Sequence, residues 1–381
     1  MTLSALFAQD IFDGQALHHG AAILVREGRV IGVVDQSAVP PEAVRHVCDG
    51  GYLAPGLVDL QVNGGGGVLL NDAPTVASMA HMAASHARLG TTAILPTLIT
   101  DNPAQTAAAI QAAAEALAQS VPGVAGLHLE GPHLSNARKG AHDVALIRPM
   151  SDEDLAALLA AAARIPALLV TVAVEAASPV QIARLAKAGV LVSLGHSEAR
   201  YDQVVAAVQA GARSATHLFN AMSPLGNREP GLVGAALDLG DLSAGLIADG
   251  FHVHPAAMRA ALRAKRGPGE IYLVSDAMAT IGSDQQGFLL NGRQVFRRDG
   301  RLTLADGTLA GADIDLLSAV RYAVRHLEMT REEALSRASF VPARLARLTD
   351  RGHLQPGARA DVIDLDSDLN LRAVWQGGRR L

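Results

Sequence analysis

The stretch Val124-Ala-Gly-Leu-His-Leu-Glu-Gly-Pro-His133 is a short apolar run interrupted by His128, closed by the carboxylate of Glu130 and ended by a Gly-Pro break. A run of that length reads as a buried strand, and the break reads as its exit into a loop. A carboxylate at such an exit is costly unless it faces a cation. The fold then depends on how often the strand-then-loop pattern recurs.

It recurs eight times. The candidate strands are LVDLQV (57–62), TTAILPTL (91–98), VAGLHLE (124–130), ALLVTVAV (167–174), VLVSLGH (190–196), SATHLFN (214–220), AGLIAD (244–249) and IYLVSDA (271–277). Ala-rich helical segments separate most of them, at 75–89, 103–119, 151–163, 178–188, 198–210 and 254–265. The sixth and seventh strands are linked by only a short helical candidate at 231–239, and a last helix covers 312–327. Asp101-Asn-Pro103 and Ser178-Pro179 place proline just inside a helix start, Ser151 with Asp154 forms a weak capping box, and Thr330 with Glu333 opens a further helix. Eight strands alternating with helices predict an α/β chain folded as a closed parallel (β/α)8 TIM barrel. An open doubly wound sheet would want a Gly-x-Gly-x-x-Gly turn after its first strand, and the four glycines at 64–67 miss that spacing.

Outside the barrel the character changes. The segment 283–311 carries Asn291-Gly292, Asp299-Gly300 and Asp306-Gly307, three hairpin-type turns in a row, and predicts an excursion of short strands. The first 53 residues and those from 350 onward both read as short strands and turns, with Glu27-Gly28 marking a hairpin. The expected organisation is therefore a small β-sandwich domain built from 1–53 and 350–381, around a catalytic barrel at 54–349.

Composition narrows the class. The chain has 381 residues, 49% apolar but only 3% aromatic, so its core is aliphatic. A net charge of −5 without a long basic run points to neither nucleic acid nor a membrane surface as partner. The single cysteine, Cys48, excludes an intrachain disulfide and fits a reducing compartment. The N-terminus lacks the basic start and apolar core of a signal peptide, and no run approaches a membrane span. A cytoplasmic enzyme is the expectation.

The barrel changes how its polar residues read, because such barrels work at the C-terminal ends of their strands. Glu130 ends the third strand and His196 the fifth; His217 lies in the sixth, Asp249 ends the seventh with His252 just beyond, and Asp276 lies in the eighth. Any one of them alone reads as a hydrogen-bonded core group, but so many on one rim do not. Two neutral imidazoles and a carboxylate form a ligand set of the catalytic-zinc type, so Glu130 faces a metal with His196 and His217 beside it. Asp276 falls outside that set; it can pass a proton to and from water, or serve as a fourth ligand or a salt-bridged structural group. Arg228 and His252 suit an anionic substrate such as a phosphate, although Arg228 sits in a polar loop and reads equally as solvated. His128 shares a strand face with Glu130 and reads as a group supporting the site or, by a small preference, as a packed core histidine.

The blocks LAPGLVDLQVNGGGG, GLHLEGPHLSNARKGAHD, LGHS, THLFNAMSPLGNREPG, IADGFHVHP, LVSDAM and DGTLAGA, in that order, resemble the amidohydrolase superfamily and, within it, the N-acetylglucosamine-6-phosphate deacetylase family. The resemblance runs the full length. It implies metal-dependent hydrolysis of N-acetyl-D-glucosamine 6-phosphate to D-glucosamine 6-phosphate and acetate, in amino-sugar catabolism and recycling. Glu130, His196 and His217 match the family's ligands to a divalent metal, Zn2+ foremost, with Fe2+, Co2+ or Mn2+ able to use the same set. Asp276 matches its general base and acid on metal-activated water. Asn220, Ala221, Arg228 and His252 match the positions that hold the sugar phosphate. Gly140, Ala141 and His142 fall where the sugar is held, with His142 the candidate to steady the oxyanion. Leu309 and Ala310 shape the acetyl and sugar pocket. The resemblance also implies a homodimer in which Arg228 reaches the neighbouring active site.

One departure from the wider superfamily matters. Many members carry His-x-His at the end of the first strand, which gives a second metal; here the place reads Gln61-Val-Asn63. Amides are poor replacements for imidazole at a zinc site, so one metal per subunit is expected. The same absence argues against a cyclic-amide hydrolase or a nucleobase deaminase. The intact Glu130, His196, His217 and Asp276 argue against a barrel that only binds or scaffolds.

Overall fold

A computed structural model describes residues 3–48 and 51–381. Residues 1, 2, 49 and 50, part of the expected 1–53 segment, lie outside the described residues. The eight barrel strands are Leu57–Val62, Thr91–Ile99, Leu127–Glu130, Leu168–Val172, Leu191–Leu194, Ser214–Ala215, Ser243–Leu246 and Ile271–Leu273. They lie side by side in chain order and every pair is parallel. The first and eighth strands share no ladder. Their seam is closed by an isolated bridge between Val62 and Ala277 and by the N–H of Asp276 on the carbonyl of Gln61 at 3.1 Å.

Several strands stop earlier than their apolar runs predict. The runs reach residues 196, 220 and 277, whereas the ladders end at Leu194, Ala215 and Leu273. The cause is local: His196, His217 and Asp276 adopt positive φ of 46°, 21° and 52°. That conformation cannot continue a ladder, and it is costly for a residue with a side chain. All three are residues singled out for chemistry.

Helices cover the barrel, and their starts follow the sequence signals. Ser151 and Asp154 form a reciprocal capping box for Asp152–Ala162, as do Ser178 with Gln181 for Pro179–Lys187 and Thr330 with Glu333 for Arg331–Arg337. Asn102 caps Pro103–Ala118, whose alanines Ala109, Ala112, Ala113 and Ala116 are buried. Small side chains on the inner helix faces let the helices lie close to the Val/Leu strands, which is how a chain so poor in aromatics fills its core.

The two ends of the chain meet. Tyr52–Pro55 pairs with Val362–Leu365, which pairs with Leu371–Gln376, in a sheet that also holds Asp10–Phe12. A second sheet is formed by Leu3–Phe7, Ala21–Arg26, Arg29–Asp35 and Val44–Val47. One apolar cluster draws on both, with Leu6, Ile23 and Val25 from one and Ile11, Leu53, Val362 and Trp375 from the other. The 283–311 excursion forms its own antiparallel sheet from Gly287–Leu290, Arg293–Arg298, Arg301–Thr303 and Leu309–Ala312. Asn291-Gly292 and Asp299-Gly300 turn it with both residues at positive φ. Its last strand returns to the barrel through the N–H of Ala312 on the carbonyl of Asp276, 2.9 Å.

Candidate active site

A cavity of about 240 Å³ opens at the C-terminal end of the barrel strands. Glu130, His196, His217 and Asp276 line it together with Gly140, Ala141, His142, Asn220, Ala221, His252, Leu309 and Ala310. Thus all but one of the residues singled out in the sequence as metal, catalytic or substrate contacts meet in one place. Arg228 is the exception: it is exposed on the 224–229 loop and does not line the cavity. Asp249 does not line it either; it accepts from the ring Nδ1 of His252 at 2.6 Å and so orients that histidine.

Glu130 Oε1 lies 3.0 Å from His217 Nε2 and 3.3 Å from His196 Nε2, and the two Nε2 atoms are 3.0 Å apart. Ligand atoms about 2.0–2.1 Å from a tetrahedral ion sit roughly 3.3 Å from one another, so the triangle has the right size for a zinc-like cation. The ring tautomer agrees. Nδ1 of His196 faces the carbonyl of Arg138 at 2.8 Å and must donate to it, leaving the Nε2 lone pair free for a metal. Burial works against an ionised Glu130, yet the hydrogen bonds and charge of His196 and His217 hold its carboxyl well below the usual range. Burial likewise disfavours a charged His217, but the hydrogen bond and charge of Glu130 raise it overall. The site thus draws in positive charge at the point where a cation would supply it. A wider triad of Glu130, His142 and His196, within 4.8 Å, overlaps this one. The triangle with His217 is the tighter of the two.

The backbone N–H of Thr100 points at His142 Nδ1 at 3.4 Å, and the Thr100 hydroxyl lies 2.7 Å from the same nitrogen. Nδ1 is therefore an acceptor and the proton sits on Nε2. Burial, then the charge of His196, pushes the His142 pKa well below the ordinary value, so the ring is neutral. It is a neutral N–H donor on the cavity wall.

Asp276 is fixed from the first strand. Its Oδ1 accepts from Gln61 Nε2 at 3.1 Å and from Asn63 Nδ2 at 2.7 Å. Burial and the nearby Glu130 charge push its pKa up to about 6. Gln61 also donates to Glu130 Oε1 at 3.1 Å and accepts from the Thr216 hydroxyl at 2.8 Å. The two amides at the place of the missing histidines are thus hydrogen-bonded clamps. His128 is a packed interior group, between the Leu60 carbonyl at 3.1 Å and Thr171 at 2.8 Å, and burial lowers its pKa to about 4.

Sequence reading missed four parts of this site: the clamp role of Gln61 and Asn63, the partnership of Thr100 with His142, the apolar wall of Ile99, Ile247 and Met278, and the bond from Arg293 to the carbonyl of Ala141. Only the first left a signal, since polar residues at 61 and 63 share one face of a strand.

Comparison with known proteins gives a consistent set of likenesses. A family model described as the amidohydrolase family matches residues 52–380. The N-acetylgalactosamine-6-phosphate deacetylase of Shewanella sp. (strain ANA-3) is 43% identical over 331 residues, 87% of this chain and 83% of that protein. The N-acetylglucosamine-6-phosphate deacetylase of Homo sapiens is 36% identical over 375 residues, 93% of this chain and 90% of that protein. Among solved structures, N-acetylglucosamine-6-phosphate deacetylase from Pasteurella multocida superposes with a TM-score of 0.95 at 32% identity, covering 100% of this chain and 99% of that one. A mutant deacetylase from Mycobacterium smegmatis in complex with N-acetyl-D-glucosamine-6-phosphate gives 0.90 at 32% identity, with 100% and 99% covered.

Proposed function

The chain belongs to the amidohydrolase family, and from that premise we propose that it removes the acetyl group from N-acetyl-D-glucosamine 6-phosphate, releasing D-glucosamine 6-phosphate and acetate. The observation that carries this reading is the triangle of Glu130, His196 and His217 beside the clamped Asp276, in a cavity wide enough for one sugar.

A single divalent cation on Glu130, His196 and His217, Zn2+ for preference, would act as a Lewis acid on water and on the acetyl carbonyl. The chain's own groups do the rest. Asp276, ionised, takes a proton from the attacking water and later gives it to the sugar nitrogen as the C–N bond breaks. The Nε2–H of His142 steadies the charge that develops on the acetyl oxygen. Leu309 and Ala310 enclose the acetyl group, and Gly140, Ala141, Asn220, Ala221 and His252 hold the sugar and its phosphate. Arg228, exposed outside its own cavity, serves the phosphate in the site of a second copy, so the working unit is a homodimer. No helix among the described residues is long and apolar enough to cross a membrane.

The test is amine release from N-acetylglucosamine 6-phosphate; no release by the metal-loaded protein would sink the reading. A second reading has its own support, because the curated relative at 43% identity acts, by its name, on the galacto epimer. Running N-acetylgalactosamine 6-phosphate in the same assay decides between them through the ratio of kcat/KM values.

Arg228→Ala is expected to raise KM for the phosphorylated sugar by about 10- to 100-fold, as for loss of a charge-assisted contact to phosphate, and to leave KM for unphosphorylated N-acetylglucosamine unchanged. Equal effects on both substrates would remove Arg228 from phosphate binding.

A further inference from the structure

Asp59 is the only ionisable side chain in the first barrel strand, it is fully buried, and the reaction above gives it no task. No cation pairs with it among the described residues, and burial pushes its pKa up to about 7. A carboxylate in that setting costs stability that an apolar side chain would not. What it offers instead is acceptor capacity. Oδ1 takes the backbone N–H of Gln61 at 3.2 Å and of Ser275 at 3.3 Å, and Oδ2 takes that of Ser275 at 3.2 Å.

Those two residues lie on opposite sides of the seam where the barrel has no ladder. Asp59 and Gln61 share one strand face by alternation, Asn63 follows just past the strand's end, and all three engage the same dipeptide of the eighth strand segment. Asp59 holds the N–H of Ser275, while Gln61 and Asn63 hold the Asp276 carboxylate at 3.1 and 2.7 Å. Asp276 in turn gives its own N–H to the carbonyl of Gln61 at 3.1 Å. Asp59 is the lowest rung of this set. It grips the backbone from which the Asp276 side chain hangs and the backbone from which its amide clamp hangs. Because Asp276 sits at a φ of 52°, its placement is not maintained by strand pairing and depends on such contacts.

We infer that Asp59 is a positioning residue for the proton-transfer step, closing the barrel seam so that Asp276 meets the reacting atoms in register. The inference rests on the reading of Asp276 as the group that moves the proton. It assigns Asp59 no contact with substrate or metal.

The experiment is a double-mutant cycle on the full-length, metal-loaded protein: Asp59→Ala and Asp59→Asn, each alone and combined with Asp276→Asn. Asp59→Ala is expected to lower kcat by about 100-fold, the scale of a 1 Å misplacement, with KM for the phosphorylated sugar within about twofold of wild type. Asp59→Asn keeps one acceptor oxygen and is expected to restore most of that loss. With Asp276→Asn in place, Asp59→Ala is expected to cost less than about twofold more, because the group it positions has gone. A merely structural role would lower the melting temperature and the yield but leave kcat per metal-loaded subunit unchanged. Unchanged kcat, a raised KM at constant kcat, or the same loss in both backgrounds would each overturn the inference. If Asp59→Ala does not fold, Asp59→Asn in the two backgrounds makes the same comparison. Failure of the underlying reading looks different: Asp276→Asn alone would then turn over like wild type.

Discussion

Asp276→Asn is expected to lower kcat by about 10²- to 10⁴-fold, the range for loss of a positioned general acid–base, while the protein keeps its metal. The substitution is nearly isosteric, and Gln61 and Asn63, the partners of the lost carboxylate, are not members of the Glu130, His196 and His217 triangle. The amide can neither accept the water proton nor return it to the sugar nitrogen. Steady-state kinetics together with metal analysis of the purified variant check this. Parallel loss of metal would make Asp276 a ligand, and an unchanged kcat would remove it from the chemistry. The pH dependence has a definite sign. The base must be ionised, so turnover falls as the solution is acidified through the pKa of Asp276. Without a cation, burial and the Glu130 charge place that pKa at about 6. A cation on the adjacent triangle favours the charged form, so the acid limb of the metal-loaded enzyme lies below pH 6. Asp276→Asn should lack this limb in whatever activity remains.

The second large effect concerns the triangle itself. Chelation is expected to abolish amine release, and adding back a divalent cation to restore it. Glu130→Gln should weaken metal binding by more than about 100-fold, since changes one shell further out already cost 10- to 100-fold. A readout independent of activity is thermal unfolding. A ligand that binds only the folded state at 1,000 times its Kd adds about 4 kcal/mol of stability, so wild type should melt at a visibly higher temperature with metal than without. Glu130→Gln should show no such shift at the same metal concentration. A variant that binds metal as wild type does would show that the cation sits elsewhere.

Much of this is legible in the sequence alone. The apolar runs marked all eight barrel strands, because strands covered by helices on one side and filled on the other are apolar along their length. The capping residues Asn102, Ser151, Ser178 and Thr330 marked helix starts because their side chains do the same local work in any context. Glu130, His196, His217 and Asp276 stood out because each is a polar interruption or stop in such a run. What did not show was long-range or conformational. The left-handed backbone at His196, His217 and Asp276 carries no sequence signal when the residue is not glycine, so the apolar runs extend past the true strand ends. Thr100 meets His142 only because two loops converge. Arg228, isolated on its loop, looks the same in sequence whether it is solvated or serves a neighbour. The seam between the first and eighth strands depends on three inward side chains, and their meaning appears only once the segment around Ser275 and Asp276 lies beside them.

That seam also sets an order of events during synthesis. Glu130, His196 and His217 all leave the ribosome before Ser275 and Asp276, and they lie at the ends of the third, fifth and sixth strands, within one unbroken run of the sheet. On the proposed ligand set, the cation-binding half of the machinery would then be complete in a nascent chain that is still chemically inert. On the proposed role of Asp276, hydrolytic competence would arrive only when the eighth strand comes in against the first, more than 200 residues away along the chain. Ring closure and the onset of catalysis would then be the same molecular event.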